Sequence, residues 1–165
     1  MTALATGAQA PDFDLKTLDG KRFSLKEELL RGPVVLAFFK VSCPTCQYAF
    51  PFLQRLFKEY GNKGVSVLGV SQNDSKETAA FAKEFGVTFP MLLDDARNYA
   101  VSNAYGLTNV PTIFWITQDG AIEVSSVGWI KADFELINRK MAETGKTSRV
   151  AMFKAGEDVR DFRAG

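Results

Sequence analysis

The sequence predicts an α/β fold, a mixed sheet with helices on both faces. Three observations carry that prediction. Strand and helix signals alternate along the 165 residues. The run Val34-Val35-Leu36-Ala37-Phe38-Phe39 is wholly apolar, as in a central strand buried on both faces. Beyond it, Leu53, Leu56, Phe57 and Tyr60 recur at the i, i+3, i+4, i+7 spacing of an amphipathic helix. The length suits one domain with a sizeable core.

Taken in order, Phe13-Asp14-Leu15 and Lys21-Arg22-Phe23-Ser24 flank Asp19-Gly20 and read as an N-terminal hairpin. The central strand follows, then the amphipathic helix, which Gly61 ends. Val65 to Val70 is the next buried strand. Asp74 with Glu77 forms a capping pair opening a helix whose inner face is Thr78, Phe81, Ala82 and Phe85, closed by Gly86. Phe89 to Leu93 is a short strand, and 97–105 a small helix stopped by Gly106. Thr112 to Ile116 and Ile122 to Val127 form a hairpin around Asp119-Gly120. A last amphipathic helix runs from about Asp133 to Glu143, with Phe134, Ile137 and Met141 on one face. From Gly145 onward no period is legible. The tail reads as a loosely packed extension, with a strap across the domain as the other reading.

Composition narrows the function. Hydrophobic residues make up 46% and charged residues 24%, the balance of a soluble globular domain. A net charge of +1 argues against nucleic acid or an anionic membrane as partner. No apolar run has the length of a membrane span. The first residues lack a basic start and an apolar h-region, so the expected location is cytoplasmic, or periplasmic if a leader has been removed. The two cysteines are too few for a disulfide framework and supply half a zinc site at most, so no metal is expected. With no histidine, Ser-His-Asp and Cys-His hydrolase mechanisms are excluded.

The chemistry lies in Cys43-Pro44-Thr45-Cys46. A buried strand leads into this C-x-x-C, and an amphipathic helix leads out of it. Cys43 then stands at a helix N-terminus, where free N–H groups and the helix dipole favour a thiolate. Cys46 lies one turn inside, within reach of a mixed disulfide formed on Cys43. Pro44 falls at the first helical position, where its missing N–H costs nothing. A buried structural pair is the bland alternative, but strand–C-x-x-C–helix context makes the redox reading strong.

With these residues in place, the chain resembles the thioredoxin superfamily and, within it, the TlpA/ResA-type disulfide reductases. Gly7-Ala8-Gln9-Ala10-Pro11-Asp12-Phe13 is similar to the family's usual lead-in segment. Pro51 resembles the proline that bends the active-site helix, and 74–105 the insertion of the TlpA branch. Val110-Pro111-Thr112 resembles the cis-proline segment, and Gly128 the glycine that opens the groove before the last helix. The resemblance spans about residues 7–143. It implies a thioredoxin fold with an N-terminal hairpin and a central insertion over 1–145, followed by an extension over 146–165. It also implies a substrate groove formed by Ser42, Pro44, Thr45, Val110, Pro111, Gly128 and Trp129, the last on the groove rim in contact with partners, with an aromatic at the edge of the core as its other reading. The implied activity is thiol–disulfide exchange with protein substrates, supported by an upstream reductant. A monomer is expected, with no cofactor beyond the Cys43–Cys46 disulfide.

Two departures stand out. Ser42 replaces the tryptophan that often precedes the first cysteine, and Ala37 replaces the buried acid of thioredoxin. A proton acceptor for Cys46 must then be sought elsewhere. Asp74 is the candidate, because TlpA-type reductases often carry an acid at the matching helix start; a plain N-cap is its equal alternative. Lys40 is close enough in sequence to favour a thiolate, though exposure is the commoner fate of a lysine. Two other functions compete. A peroxiredoxin is disfavoured because Lys40 and Leu36 stand where Thr or Ser and an upstream Pro are usual. A copper-binding module is disfavoured because no further Met or His ligands lie near the pair.

Overall fold

A computed structural model describes residues 2–165. The elements are β1 (Asp14–Thr17), β2 (Arg22–Ser24), α1 (Leu25–Leu29), β3 (Val34–Phe39), α2 (Pro44–Tyr60), β4 (Ser66–Ser71) and α3 (Ser75–Phe85). They continue with β5 (Met91–Leu93), α4 (Ala100–Ala104), β6 (Thr112–Ile116), β7 (Ile122–Val127), β8 (Trp129–Ile130), α5 (Lys131–Thr144) and β9 (Phe162–Arg163).

Seven strands form one mixed sheet in the order β2-β1-β5-β4-β3-β6-β7. β3, β4 and β5 are parallel, and β6 runs antiparallel to β3. All six residues of β3 are buried, as its unbroken apolar run requires. Alternate β3 side chains feed two cores. Val35, Ala37 and Phe39 pack under α2, α3 and α5. Val34, Leu36 and Phe38 pack against Leu25, Tyr105 and the N-terminal segment. This is the α/β sheet with helices on both faces that the sequence predicts.

The small helix expected over 97–105 is shorter, Ala100–Ala104. The buried carboxylate of Asp94 accepts from the backbone of Val101 and Ser102 and from the Ser102 hydroxyl, which places the helix start at Ala100. The strand expected over 89–93 begins only at Met91, after Pro90, which has no N–H to donate.

The tail is not loosely packed; it is the strap. Met152 is buried. The Tyr60 hydroxyl donates to Asn138 Oδ1 at 2.6 Å and accepts from Val150 N–H at 2.9 Å, while Asn138 Nδ2 donates to the Val150 carbonyl at 2.9 Å. Arg55 grips Glu157 through two parallel 2.8 Å bonds and donates to the Met152 carbonyl. Farther on, β9 pairs with β8. No period marks this segment because isolated side chains and backbone groups hold it, not an amphipathic face.

Candidate active site

β3 delivers the chain to the carboxyl edge of the sheet, and Lys40 to Ser42 turn it into α2. Cys43 is the N-cap of that helix: its sulfur accepts from Cys46 N–H at 3.1 Å. Pro44 occupies the first helical turn, where no hydrogen bond is forfeited. The turn is pinned from both sides: Val41 N–H donates to Asn73 Oδ1 at 3.0 Å, and Gln47 Nε2 donates to the Val41 carbonyl at 2.9 Å.

The two thiols are free and differ in setting. Cys43 is half-buried, with solvent on one side. Cys46 is fully buried among the aromatic side chains under α2. Burial pushes the Cys46 thiol far above its ordinary range, and its hydrogen bond with Cys43 adds to the shift. Cys43 Sγ donates to the Val110 carbonyl at 3.4 Å. The Val110–Pro111 bond is cis, and this turn stands beside the Cys43 sulfur. Gly128 N–H donates to the Pro111 carbonyl at 2.8 Å, which ties the end of β7 to the same turn. Thus Ser42, Pro44, Thr45, Val110, Pro111 and Gly128 converge around Cys43, with Ser42 and Pro44 exposed.

Trp129 does not stand on the rim. It is fully buried, stacked against Tyr48, Phe52 and Phe134, and its Nε1 donates to the Arg160 carbonyl at 2.6 Å. The strap covers the indole, so no partner touches it directly; the sequence hides this because the covering residues are 31 positions away. Asp74 is exposed and caps α3, accepting from Glu77 N–H at 2.8 Å. Lys40 is exposed. Ala37 faces the core under α2, and the row across the sheet runs Ala37, Ile113, Ser126. The buried Ser126 hydroxyl in that row has no hydrogen-bond partner among the described residues.

Two contributors escape sequence reasoning. Asn73, beside Asp74, holds the approach to Cys43. Gln47 does the same from within α2. Thr45, expected in the groove, is 4% exposed and directs its hydroxyl to the Ala164 carbonyl at 2.6 Å, a partner the sequence does not indicate. Polar residues of this kind carry no periodic signal; only the placement of Val41 and the strap gives them partners.

This geometry fits dithiol chemistry: a reachable sulfur at a helix N-terminus and a shielded one a turn away. No group of three or more His, Cys, Asp or Glu side chains among the described residues could hold a metal. No helix among them is long and apolar enough to cross a membrane.

Comparison with known proteins agrees. The AhpC/TSA family model matches residues 6–125. The thiol-disulfide oxidoreductase ResA of Geobacillus thermodenitrificans is 37% identical over 123 residues, covering 74% of this chain and 69% of that protein. ResA of Bacillus subtilis is 33% identical over 121 residues, covering 73% and 66%. A crystal structure of a thioredoxin-family thiol:disulfide interchange protein from Chlorobium tepidum superposes with a TM-score of 0.69 at 26% identity, over 84% of this chain and 99% of that one. These relatives and the close cysteine pair do not favour the peroxiredoxin reading. The chain is a thiol–disulfide oxidoreductase acting on protein substrates, and it belongs to the AhpC/TSA family as a TlpA/ResA-like member of the thioredoxin superfamily.

Proposed function

We propose that this protein reduces disulfides in extended protein segments, with Cys43 as the attacking sulfur and Cys46 as the resolving one. The observation that carries the assignment is the contrast between a half-buried Cys43 at the N-terminus of α2 and a fully buried Cys46 whose thiol is held protonated. The Cys43 thiolate attacks one sulfur of the substrate disulfide. A Cys43–substrate disulfide forms, and the other substrate sulfur leaves as a thiolate and takes a proton. Cys46 then loses its proton and attacks Cys43 Sγ. The Cys43–Cys46 disulfide forms and the second substrate sulfur leaves as a thiol. Two electrons pass from the protein to the substrate, and an upstream dithiol reductant returns them. Desolvation of Cys46 keeps it from competing for the first attack. The cysteine pair serves as the only redox group, and the chain acts as a monomer.

The test is trapping. Cys46→Ser should accumulate mixed disulfides with reducible protein substrates, while Cys43→Ser should trap none and abolish insulin reduction. In the wild type near neutral pH, iodoacetamide should alkylate Cys43 and spare Cys46. Preferential labelling of Cys46 reverses the assignment.

A further inference from the structure

The strap does not stop at the back of the domain. From Arg160 it turns along β8 toward the cysteines. The Arg160 carbonyl accepts from Trp129 Nε1, its N–H donates to Tyr48 Oη at 3.1 Å, and Lys131 N–H donates to the Asp161 carbonyl at 2.9 Å. β9 then pairs antiparallel with β8, Ile130 opposite Phe162 and Trp129 opposite Arg163. Arg163 lays its guanidinium over the Tyr48 ring at 5.5 Å. Ala164 offers its carbonyl to the buried Thr45 hydroxyl.

The groove is shaped around this segment. Gly128 has φ +78°, and a Cβ there would stand 2.7 Å from the Arg163 carbonyl oxygen and 3.2 Å from Gly165 N. A Cβ on Gly165 would run into the Val110 carbonyl oxygen. That oxygen is the one Cys43 Sγ bonds. The start of α2, the Val110–Pro111 turn and Gly128 therefore all meet one extended stretch of this chain, paired as an added strand. Strand addition of this kind is a general way for extended peptides to be held.

The two parts of the strap are held unequally. Residues 150–161 are fixed by the Tyr60–Asn138 pair, the Arg55–Glu157 clamp and the Trp129 indole. Phe162 is 62% exposed, and Ala164 and Gly165 are exposed, small and held by few bonds.

We propose that residues 162–165 are a built-in competitor for the protein substrate: they lie in the peptide groove beside Cys43 and withdraw when a substrate segment takes their place. The proposal rests on the reading of this groove as the substrate site. The exchange makes and breaks no covalent bond. The incoming segment presents a backbone carbonyl to Thr45 Oγ1 and a small residue beside Val110, as Ala164 and Gly165 do. A disulfide too small to need the groove is not subject to the competition.

The experiment compares the full chain, a chain stopped after Asp161, and Gly165→Leu, on insulin and on hydroxyethyl disulfide. The stop leaves the anchoring contacts of residues 150–161 in place. A groove open about one-tenth of the time weakens apparent affinity about tenfold. The stopped chain should accordingly show a KM for insulin about tenfold lower at unchanged kcat, Gly165→Leu a smaller drop, and all three the same rate on hydroxyethyl disulfide. An unchanged or higher KM in a stopped chain with the near-UV dichroism of the full chain overturns the proposal. If the stopped chain loses that signal, Gly165→Leu decides, since its added side chain meets the Val110 carbonyl and leaves the anchoring contacts of residues 150–161 in place; an unchanged KM there overturns it equally. A full chain inactive on both substrates, with variants equally inactive, removes the oxidoreductase mechanism itself. Activity on hydroxyethyl disulfide with no gain on insulin removes only the competitor.

Discussion

Tyr60→Phe is the sharpest probe of how the strap is held. The substitution deletes one oxygen and leaves a fully buried ring in place. Two partners then lose their bonds: Asn138 Oδ1, which accepts at 2.6 Å, and Val150 N–H, which donates at 2.9 Å. A buried polar group left without a partner costs about 1–3 kcal/mol. Asn138 is 4% exposed and bears close to the full cost, whereas half-buried Val150 is open to solvent and bears the lower end. The expected loss is about 3–4 kcal/mol. In a domain of this size each kcal/mol lowers Tm by about 2–4 °C, so the midpoint should fall about 6–16 °C. Urea denaturation reads it as a lower midpoint at unchanged m. Limited trypsinolysis should cut faster at the exposed Lys146 and Arg149. Tyr60→Phe combined with Asn138→Leu removes both side-chain partners, and a coupling of about 1 kcal/mol or more is expected between them. A loss under about 0.5 kcal/mol, with no change in trypsin cutting, refutes the reasoning: the triangle would then not be what anchors the strap.

Other expectations follow from the same structure. Asp74→Asn should keep both stability and turnover from about pH 6 to 9, because asparagine caps a helix as well as aspartate, whereas Asp74→Ala should cost about 1 kcal/mol; slowed mixed-disulfide resolution in the asparagine variant would give the carboxylate a catalytic role. Arg55 holds the Glu157 carboxyl down at about 2, against an ordinary 4.5. Its contribution is therefore complete above the ordinary value and is lost as pH falls through about 2, so the midpoint gap between wild type and Glu157→Gln should close on acidification. A gap that stays constant down to the lower value would detach Glu157 from acid stability. Ser126→Ala removes a buried hydroxyl that bonds nothing among the described residues, and should leave stability unchanged or raise it by up to about 1 kcal/mol; a clear loss by denaturant titration would mean that the hydroxyl is bonded.

The sequence by itself determined the sheet, its covering helices and the dithiol. A strand buried on both faces must be apolar throughout, so Val34 to Phe39 declares itself, and the helical spacing of Leu53, Leu56, Phe57 and Tyr60 does the same for α2. Cys43 and Cys46 are legible because strand, C-x-x-C and helix are contiguous, which makes the N-cap position of Cys43 a local matter. Only the tertiary structure decided what surrounds them. Trp129 follows Gly128 in the chain and reads as a rim residue, yet it is buried because Arg160 and Phe153 fold over it. Thr45 acquires its bond from Ala164, 119 positions away, and Val41 is held by Asn73, 32 positions away. The strap left no pattern at all: Arg55 with Glu157, and Tyr60 with Val150, are single pairings between distant residues. Periodicity records a face packed along a whole element, whereas a bond between two distant groups leaves no mark on the residues around either one.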